Sequence, residues 1–235
     1  MYPQSLKNNL YTSKLHIEEK GLELLLKSNL ENKYILEIAC GNGFYSKWVA
    51  ENFLNSKIYG VDFDPNKIDL AKKNSINNDN LNYSSGDIAH LNQFSDNYFD
   101  LIFSRASLHH LTNNLEGISK ELNRVLKPNS LCIFIREPLG HNPLWAGIRA
   151  MANSKKQLTD ETNLYMKNLN KFGEVFDSYE FNSFDLFLYP FKILPSSYLT
   201  KYITLFVSKV DDLLFKKFPF LKKYGANMNI VFYKK

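Results

Sequence analysis

The residues of this 235-residue chain that carry the most chemical information are Glu37, Gly41, Gly43 and Asp62. Gly41 and Gly43 stand in the run CGNG, directly after the β-rich segment YILEI at 34–38. Glycine at both places suits a tight turn in which backbone approaches a ligand closely and adopts torsions that a Cβ opposes. Asp62 follows Gly43 by 19 residues, at the end of a second β-rich run at 57–61. An acid there can accept both hydroxyl hydrogens of a ribose, so the two features together predict a nucleoside cofactor. Two kinds of cofactor share the arrangement. A dinucleotide calls for a third glycine, so that the helix packs closely and its N-terminus seats the pyrophosphate, whereas the position three after Gly43 is Ser46. A methionine-bearing nucleoside has no pyrophosphate and does without that glycine. Glu37, inside the first strand, suits an ammonium and a sulfonium centre better than phosphates; its other reading is a structural acid.

These residues need strands and helices to place them. A helix is predicted over 44–53, and a second follows Asp64, which suits an N-cap with Pro65 at the first helical position. A short strand is expected at 82–84, and DLIFS at 100–104 reads as a buried strand. A helix over 113–126, stopped by Pro128, leads to another buried strand, LCIFI. This alternation predicts parallel βαβ units, with the first strand–helix turn opening at the carboxyl edge of the sheet. Helical spacing over 5–30 opens the chain with one or two amphipathic helices. Beyond Glu137 the pattern changes: helices are expected at 141–152 and 160–169, a strand within 175–188, a helix over 198–218 and a closing strand at 229–233. The fold class is therefore α/β: a Rossmann-like, doubly wound, seven-stranded, mostly parallel sheet with N-terminal helices and a C-terminal helical cap inserted before the last strand. One domain over 1–235 is expected, with a cofactor-binding core at 34–137 and substrate-side helices and cap at 138–228.

With 44% apolar and 23% charged residues, the composition is that of an ordered globular protein and argues against disorder. Cys40 and Cys132 lie far apart, and neither has a partner at metal-ligand spacing, so neither a disulfide framework nor a metal site is predicted. The N-terminus lacks the apolar stretch of a secretory signal, and no run approaches the roughly 18 apolar residues of a membrane span; a cytoplasmic location is expected. The net charge of +5 is uneven, because residues 201–235 hold eight lysines against Asp211 and Asp212, leaving the remainder near −1. Such a tail reads either as a solvated surface or as a feature that favours anionic partners.

The run ILEIACGNG, followed by GVDFD, GDIAHL, FDLIFSRASLHHL and LNRVLKPNSLCIFI, resembles the ordered motif series of class I S-adenosylmethionine-dependent methyltransferases over residues 34–137. The resemblance implies S-adenosylmethionine as cofactor. It also implies that Glu37, Gly41 and Gly43 surround the methionine part, that Asp62 holds the ribose, and that Phe63 flanks the adenine. By the same resemblance, Asp87 is expected to accept from the adenine amino group, Ile88 to pack on the ring, and Ser104 to offer backbone near the methionine amine. Ala39 departs from the pattern, since many members have glycine there. Methyl transfer is an in-line displacement, so the main demand is alignment of nucleophile and methyl carbon. A general base is needed only for an acceptor that must lose a proton. His109 and His110 after the fourth strand, and Glu137 and His141 after the fifth, are the candidates, with His109 preferred. Arg105 reads either as a partner for an acidic substrate or as half of a surface ion pair, and His90 as structural.

The fourth motif, FSRA, is not the Asn-Pro-Pro-Tyr type that resembles enzymes acting on nucleobase or amide nitrogens. The expected acceptor is a small molecule, methylated at oxygen and apolar or lipid-like, with no nucleic acid involved. Aromatic and basic residues interleave from 184 to 223. The 198–218 helix reads either as core, with its apolar face packed on the domain, or as a cap over an apolar substrate or a contact with a membrane surface. Other classes stay open at this point: a protein or nucleic-acid methyltransferase, a non-catalytic binding module and a nicotinamide-dependent oxidoreductase.

Overall fold

A computed structural model of the chain describes residues 13–143, 164–188 and 198–235. Its centre is one seven-stranded sheet in the order β3-β2-β1-β4-β5-β7-β6. The strands are β1 (Tyr34–Ile38), β2 (Lys57–Asp62), β3 (Leu81–Ser85), β4 (Phe99–Arg105), β5 (Leu126–Pro138), β6 (Ser178–Phe184) and β7 (Asn227–Lys234). The first five run parallel, and β7 is antiparallel to both β5 and β6. Helices α1 (Ser13–Lys27), α2 (Phe44–Asn52), α3 (Pro65–Asn74), α4 (Leu115–Val125), α5 (Met166–Gly173) and α6 (Tyr198–Lys217) connect or flank the strands.

The short apolar runs form strands because a parallel sheet covered on both faces buries alternate side chains in two different cores. In β1, Leu36 and Ile38 join the core under α4, while Ile35 joins the core under α1 and α2. In β4, Ile102 goes to the first, and Leu101 and Phe103 to the second. Each large apolar side chain buried this way contributes roughly 1.5–3 kcal/mol. Strand order reverses between β1, which leads outward to β2 and β3, and β4, which leads to β5. A crevice opens above that reversal.

Several boundaries differ from the sequence reading for local reasons. β5 begins at Leu126, directly after α4, and the register shift between Phe99 and Leu101 leaves Pro128 in a bulge. Proline has no N–H to donate to the ladder, and a bulge does not require one. α3 starts as expected: the Asp64 side chain accepts from Asn66 N at 2.9 Å, with Pro65 next. α5 begins at Met166 and not at 160; residues 144–163, and with them most of the predicted 141–152 helix, lie outside the described residues. The same holds for 5–12 of the opening helical segment. α6 lies in sequence between β6 and β7, where the insertion was predicted.

Candidate functional site

A cavity of about 680 Å³ occupies the crevice, within the usual range for small-molecule sites. One wall is built by Ala39, Gly41, Asp62, Phe63, Lys67, Gly86, Asp87 and Ile88, after β1, β2 and β3; the other by Ala106, Ser107, His110, Leu111 and Ile118, after β4.

The turn after β1 is shaped by residues in the left-handed region. Gly41 has φ +55° and Gly43 φ +78°, and Ala39 sits at φ +50°. A Cβ on Gly43 would stand 2.2 Å from the Tyr83 hydroxyl, whereas one on Gly41 would meet nothing within 4 Å. Gly43 therefore packs against protein, and Gly41 leaves its space to the cavity. Ala39 keeps the same torsion with a methyl group, at a cost of about 1–2 kcal/mol. The buried Asp62 carboxylate ties two turns together: Oδ2 accepts from Gly41 N at 2.8 Å and Oδ1 from Asp64 N at 3.0 Å. Each oxygen keeps a lone pair for a ligand hydroxyl.

The far end of the same wall suits a planar base. Phe63 is 79% exposed, an unusual state for phenylalanine, with the Lys67 ammonium 5.8 Å from its ring centre. Ile88 is buried beside it. Asp87 accepts from Ala89 N at 2.9 Å and pairs with His90 Nδ1 at 3.0 Å, and these contacts hold its carboxyl below the usual range. His90, read as merely structural, thus orients a cavity residue.

Glu37 and Ser104, both predicted at the ligand, lie beneath the cavity wall. Glu37 is buried, and its Oε2 accepts from Ser46 N at 2.7 Å. Burial pushes its carboxyl up to about 8, against the lowering effects of the Ser46 hydrogen bonds and the Arg105 charge. The bond has a consequence for ligand choice. One of the N-terminal N–H groups of α2 that a pyrophosphate would use is thus given to a carboxyl group, which weighs against the dinucleotide alternative. Ser104 Oγ donates to Ile38 O at 2.6 Å and lies 2.6 Å from Ser107 Oγ, which fastens β4 to β1. The backbone exposed to the cavity comes two residues later, at Ala106 and Ser107, where Ala106 has φ +50°.

The four candidate proton acceptors separate clearly. Glu137 is fully buried and accepts from Ser107 N (2.7 Å), Leu108 N (3.0 Å), His109 N (3.2 Å) and His109 Nδ1 (2.8 Å). A bulge in β5 places it there: the pairing with β7 shifts between Phe134 and Glu137, and Arg136 takes φ +58°. Glu137 therefore caps the turn Leu108–His110 and cannot reach a substrate. His109 is buried on that carboxylate, with its ring 3.9 Å from the ring of His110. His110 is exposed and lines the cavity. His141 Nε2 accepts from Met166 N at 3.0 Å at the start of α5, and burial together with the Lys223 charge lowers its pKa. It does not line the cavity. Arg105 stacks its guanidinium 5.5 Å from the centre of the Tyr45 ring. Of the residues the sequence reading did not assign, Leu111 and Ile118 give the second wall its apolar character, and Lys67 stands one turn into α3. The described side chains of α6 are not among the cavity-lining residues.

A family model described as a methyltransferase domain matches residues 36–134. Over 92 residues the chain is 34% identical to malonyl-(acyl-carrier protein) O-methyltransferase 1 of Ilyobacter polytropus, covering 39% of this chain and 33% of the relative. It is 28% identical over 99 residues to a demethylmenaquinone methyltransferase of Staphylococcus aureus, covering 42% and 40%. The chain thus spans about a third to two fifths of the length of these curated relatives. Among solved structures, phosphoethanolamine N-methyltransferase 2 of Haemonchus contortus, in complex with S-adenosyl-L-methionine, superposes with a TM-score of 0.62 at 17% identity, over 92% of this chain and 52% of that one. This last likeness is one of fold. The ordered motifs, the strand order with its reversal above the crevice, and the fold likeness agree with one another, and residues 36–134 of the chain match a methyltransferase domain.

Proposed function

We propose that the protein transfers a methyl group from S-adenosylmethionine to a small-molecule acceptor, at oxygen, and that the acceptor is apolar or lipid-like. The observation that carries the reading is the Asp62 carboxylate. It is buried at the cavity wall, bonded to both turns and still able to accept, beside a Gly41 whose missing Cβ leaves the space open. In this reading Asp62 accepts from the ribose hydroxyls, Phe63 and Ile88 flank the adenine, and Asp87 accepts from its amino group. Gly41 and the backbone of Ala106 and Ser107 line the methionine part, Gly43 shapes the turn behind them against Tyr83, and Glu37 lies beneath the ammonium, where loss of its proton supplies negative charge. The cofactor, when bound, supplies a sulfonium-borne methyl carbon as electrophile.

The chain's own groups then align the acceptor and take its proton where it has one to lose. We assign that proton to His110, the imidazole on the cavity wall. His109 becomes a positioning residue, held by Glu137 and stacked against His110. His141 holds the start of α5, on the substrate side of the chain. The division into a cofactor core at 34–137 and a substrate side at 138–228 belongs to the same proposal. The two relatives named above, one acting at an oxygen and one on a quinone precursor by their names, support an oxygen acceptor and an apolar one respectively. The basic residues of the tail do not surround the cavity, which favours a small molecule over nucleic acid.

The test is calorimetric titration with S-adenosylhomocysteine, followed by transfer of label from isotopically labelled cofactor into cell extract and separation of the product. Absence of cofactor binding by the folded protein removes the reading. Binding with label appearing only in protein or RNA removes the small-molecule part of it.

A further inference from the structure

The outer face of α6 is built the wrong way round for a helix that only packs on its own domain. Residues 202, 206, 209, 213 and 216 fall within one narrow stripe by helical periodicity. Tyr202 is 68% exposed, Phe206 70% and Leu213 62%, while the polar Thr204 and Asp211 are turned inward and buried. Asp211 serves as an anchor there: its carboxylate accepts from Phe187 N and Leu188 N at 3.2–3.3 Å. The chain then continues into the short helical stretch Pro219–Tyr224, where Phe220 is 66% exposed. Lys209 and Lys216 lie in the stripe, and Lys217, Lys222 and Lys223 follow it. The acids of this stretch are only the buried Asp211 and the exposed Asp212.

The position of this surface matters as much as its composition. β6 is antiparallel to β7, which is antiparallel to β5, so β6 ends at the same carboxyl edge as the parallel strands. Asp211 fixes α6 to the segment just after β6. Asn142, just after β5, donates from Nδ2 to Leu186 O at 3.2 Å and to Tyr224 O at 2.7 Å. The stripe is thereby held at the edge on which the cavity opens.

We infer that the face formed by Tyr202, Phe206, Leu213 and Phe220, with its flanking lysines, docks on the surface of an anionic phospholipid bilayer. Aromatic rings at headgroup depth and lysines reaching lipid phosphates are the two elements of interfacial binding, and each supports the other. No described helix is long and apolar enough to cross a membrane, so the contact is one of docking and not of spanning. A second copy of the chain is a poorer occupant, because an isologous contact would set the five lysines against themselves. The inference is independent of methyl transfer and of the acceptor.

The experiment uses the full chain with sedimented vesicles of phosphatidylcholine alone and with about one third phosphatidylglycerol. Binding at least tenfold tighter to the anionic vesicles is expected, weakening steeply with salt. Phe206→Ser with Phe220→Ser should weaken it at least tenfold. Replacing Lys216, Lys217, Lys222 and Lys223 with alanine should weaken it by about fivefold per lysine. These side chains are surface groups, so melting temperature and S-adenosylhomocysteine affinity should stay at wild-type values, which separates this result from any failure of the cofactor reading. Tyr202→Ser with Leu213→Ser is a second apolar pair for the same measurement. The inference is overturned by absence of binding to anionic vesicles, by equal binding to neutral ones, or by variants that bind as wild type. It is likewise overturned if the serine variants dissolve a dimer, or abolish capture of an acidic protein, in a chain that ignores vesicles.

Discussion

Replacing Asp62 with alanine tests the site at its most connected point. The substitution removes the acceptor of Gly41 N, bonded at 2.8 Å, and of Asp64 N, bonded at 3.0 Å. Each of these bonds runs to a charged acceptor and contributes roughly 1.5–3 kcal/mol, so the fold should lose about 3–6 kcal/mol. For a chain of this length that corresponds to a fall in melting temperature of roughly 6–24 °C. Cofactor binding should suffer separately, because hydrogen bonds to a charged acceptor contribute roughly 1.5–3 kcal/mol, which is about a 10- to 150-fold loss of affinity. Calorimetric titration with S-adenosylhomocysteine, well below the melting temperature of the variant, reads the second effect free of the first. The melting shift induced by a fixed excess of the same ligand gives an independent measure, since a weaker ligand stabilises less. Asp62→Asn should fall between, because its amide can accept from one of the two turns but presents N–H to the other. A Kd for Asp62→Ala within about twofold of wild type would refute the placement of the ribose, however large the loss of stability.

Three further outcomes follow from the geometry. His110→Ala should lower turnover by about 10²-fold with cofactor affinity nearly unchanged, while His109→Ala should act through stability and the set of the turn. Equal turnover in wild type and His110→Ala, measured with an identified acceptor, discards His110 as base. Glu137→Gln turns an amide N–H toward a cluster of N–H donors and should cost roughly 2–4 kcal/mol, seen as a lowered denaturation midpoint; an unchanged midpoint means that the four bonds do not hold the turn. Burial holds the Glu37 carboxyl at about 8, so near neutral pH it keeps its proton in the folded protein and has lost it in the unfolded chain. Stability should therefore decline as pH rises from about 4.5 toward about 8. If the ligand ammonium requires the carboxylate, S-adenosylhomocysteine affinity should climb over the same upper range, by up to tenfold per pH unit, and level off above about 8. Glu37→Gln should flatten that profile, and a flat profile in the wild type removes Glu37 from contact with the ammonium charge.

The alternation of apolar runs, the Gly41–Gly43 turn, the Asp64–Pro65 helix start and the acid at the tip of β2 were all legible in the linear sequence. Each is a local signal: strand and helix periodicity, turn chemistry and capping act over a few residues. The ordered spacing of those signals was enough to place the crevice at the carboxyl edge of a doubly wound sheet and to put Asp62 on its wall. The reversed build of α6 was only partly legible. Its apolar residues were plain in sequence, but which of them face inward depends on where Asp211 finds the N–H groups of Phe187 and Leu188.

The roles of the histidines were out of reach for the same reason. His109 and His110 are neighbours with the same chemistry, and what separates them is Glu137, 28 residues away from His109 and aimed by a bulge at Arg136. Glu37 and Ser104 were expected at the ligand because of their motif positions, yet register and pleat turn them into the layer beneath the cavity wall. The sequence by itself determined the architecture and the location of the site, because these follow from local pattern and order. Which side chain reaches the cavity was decided only in the folded chain. There a single bulge or a distant carboxylate sets the direction of a bond, and no periodicity records it.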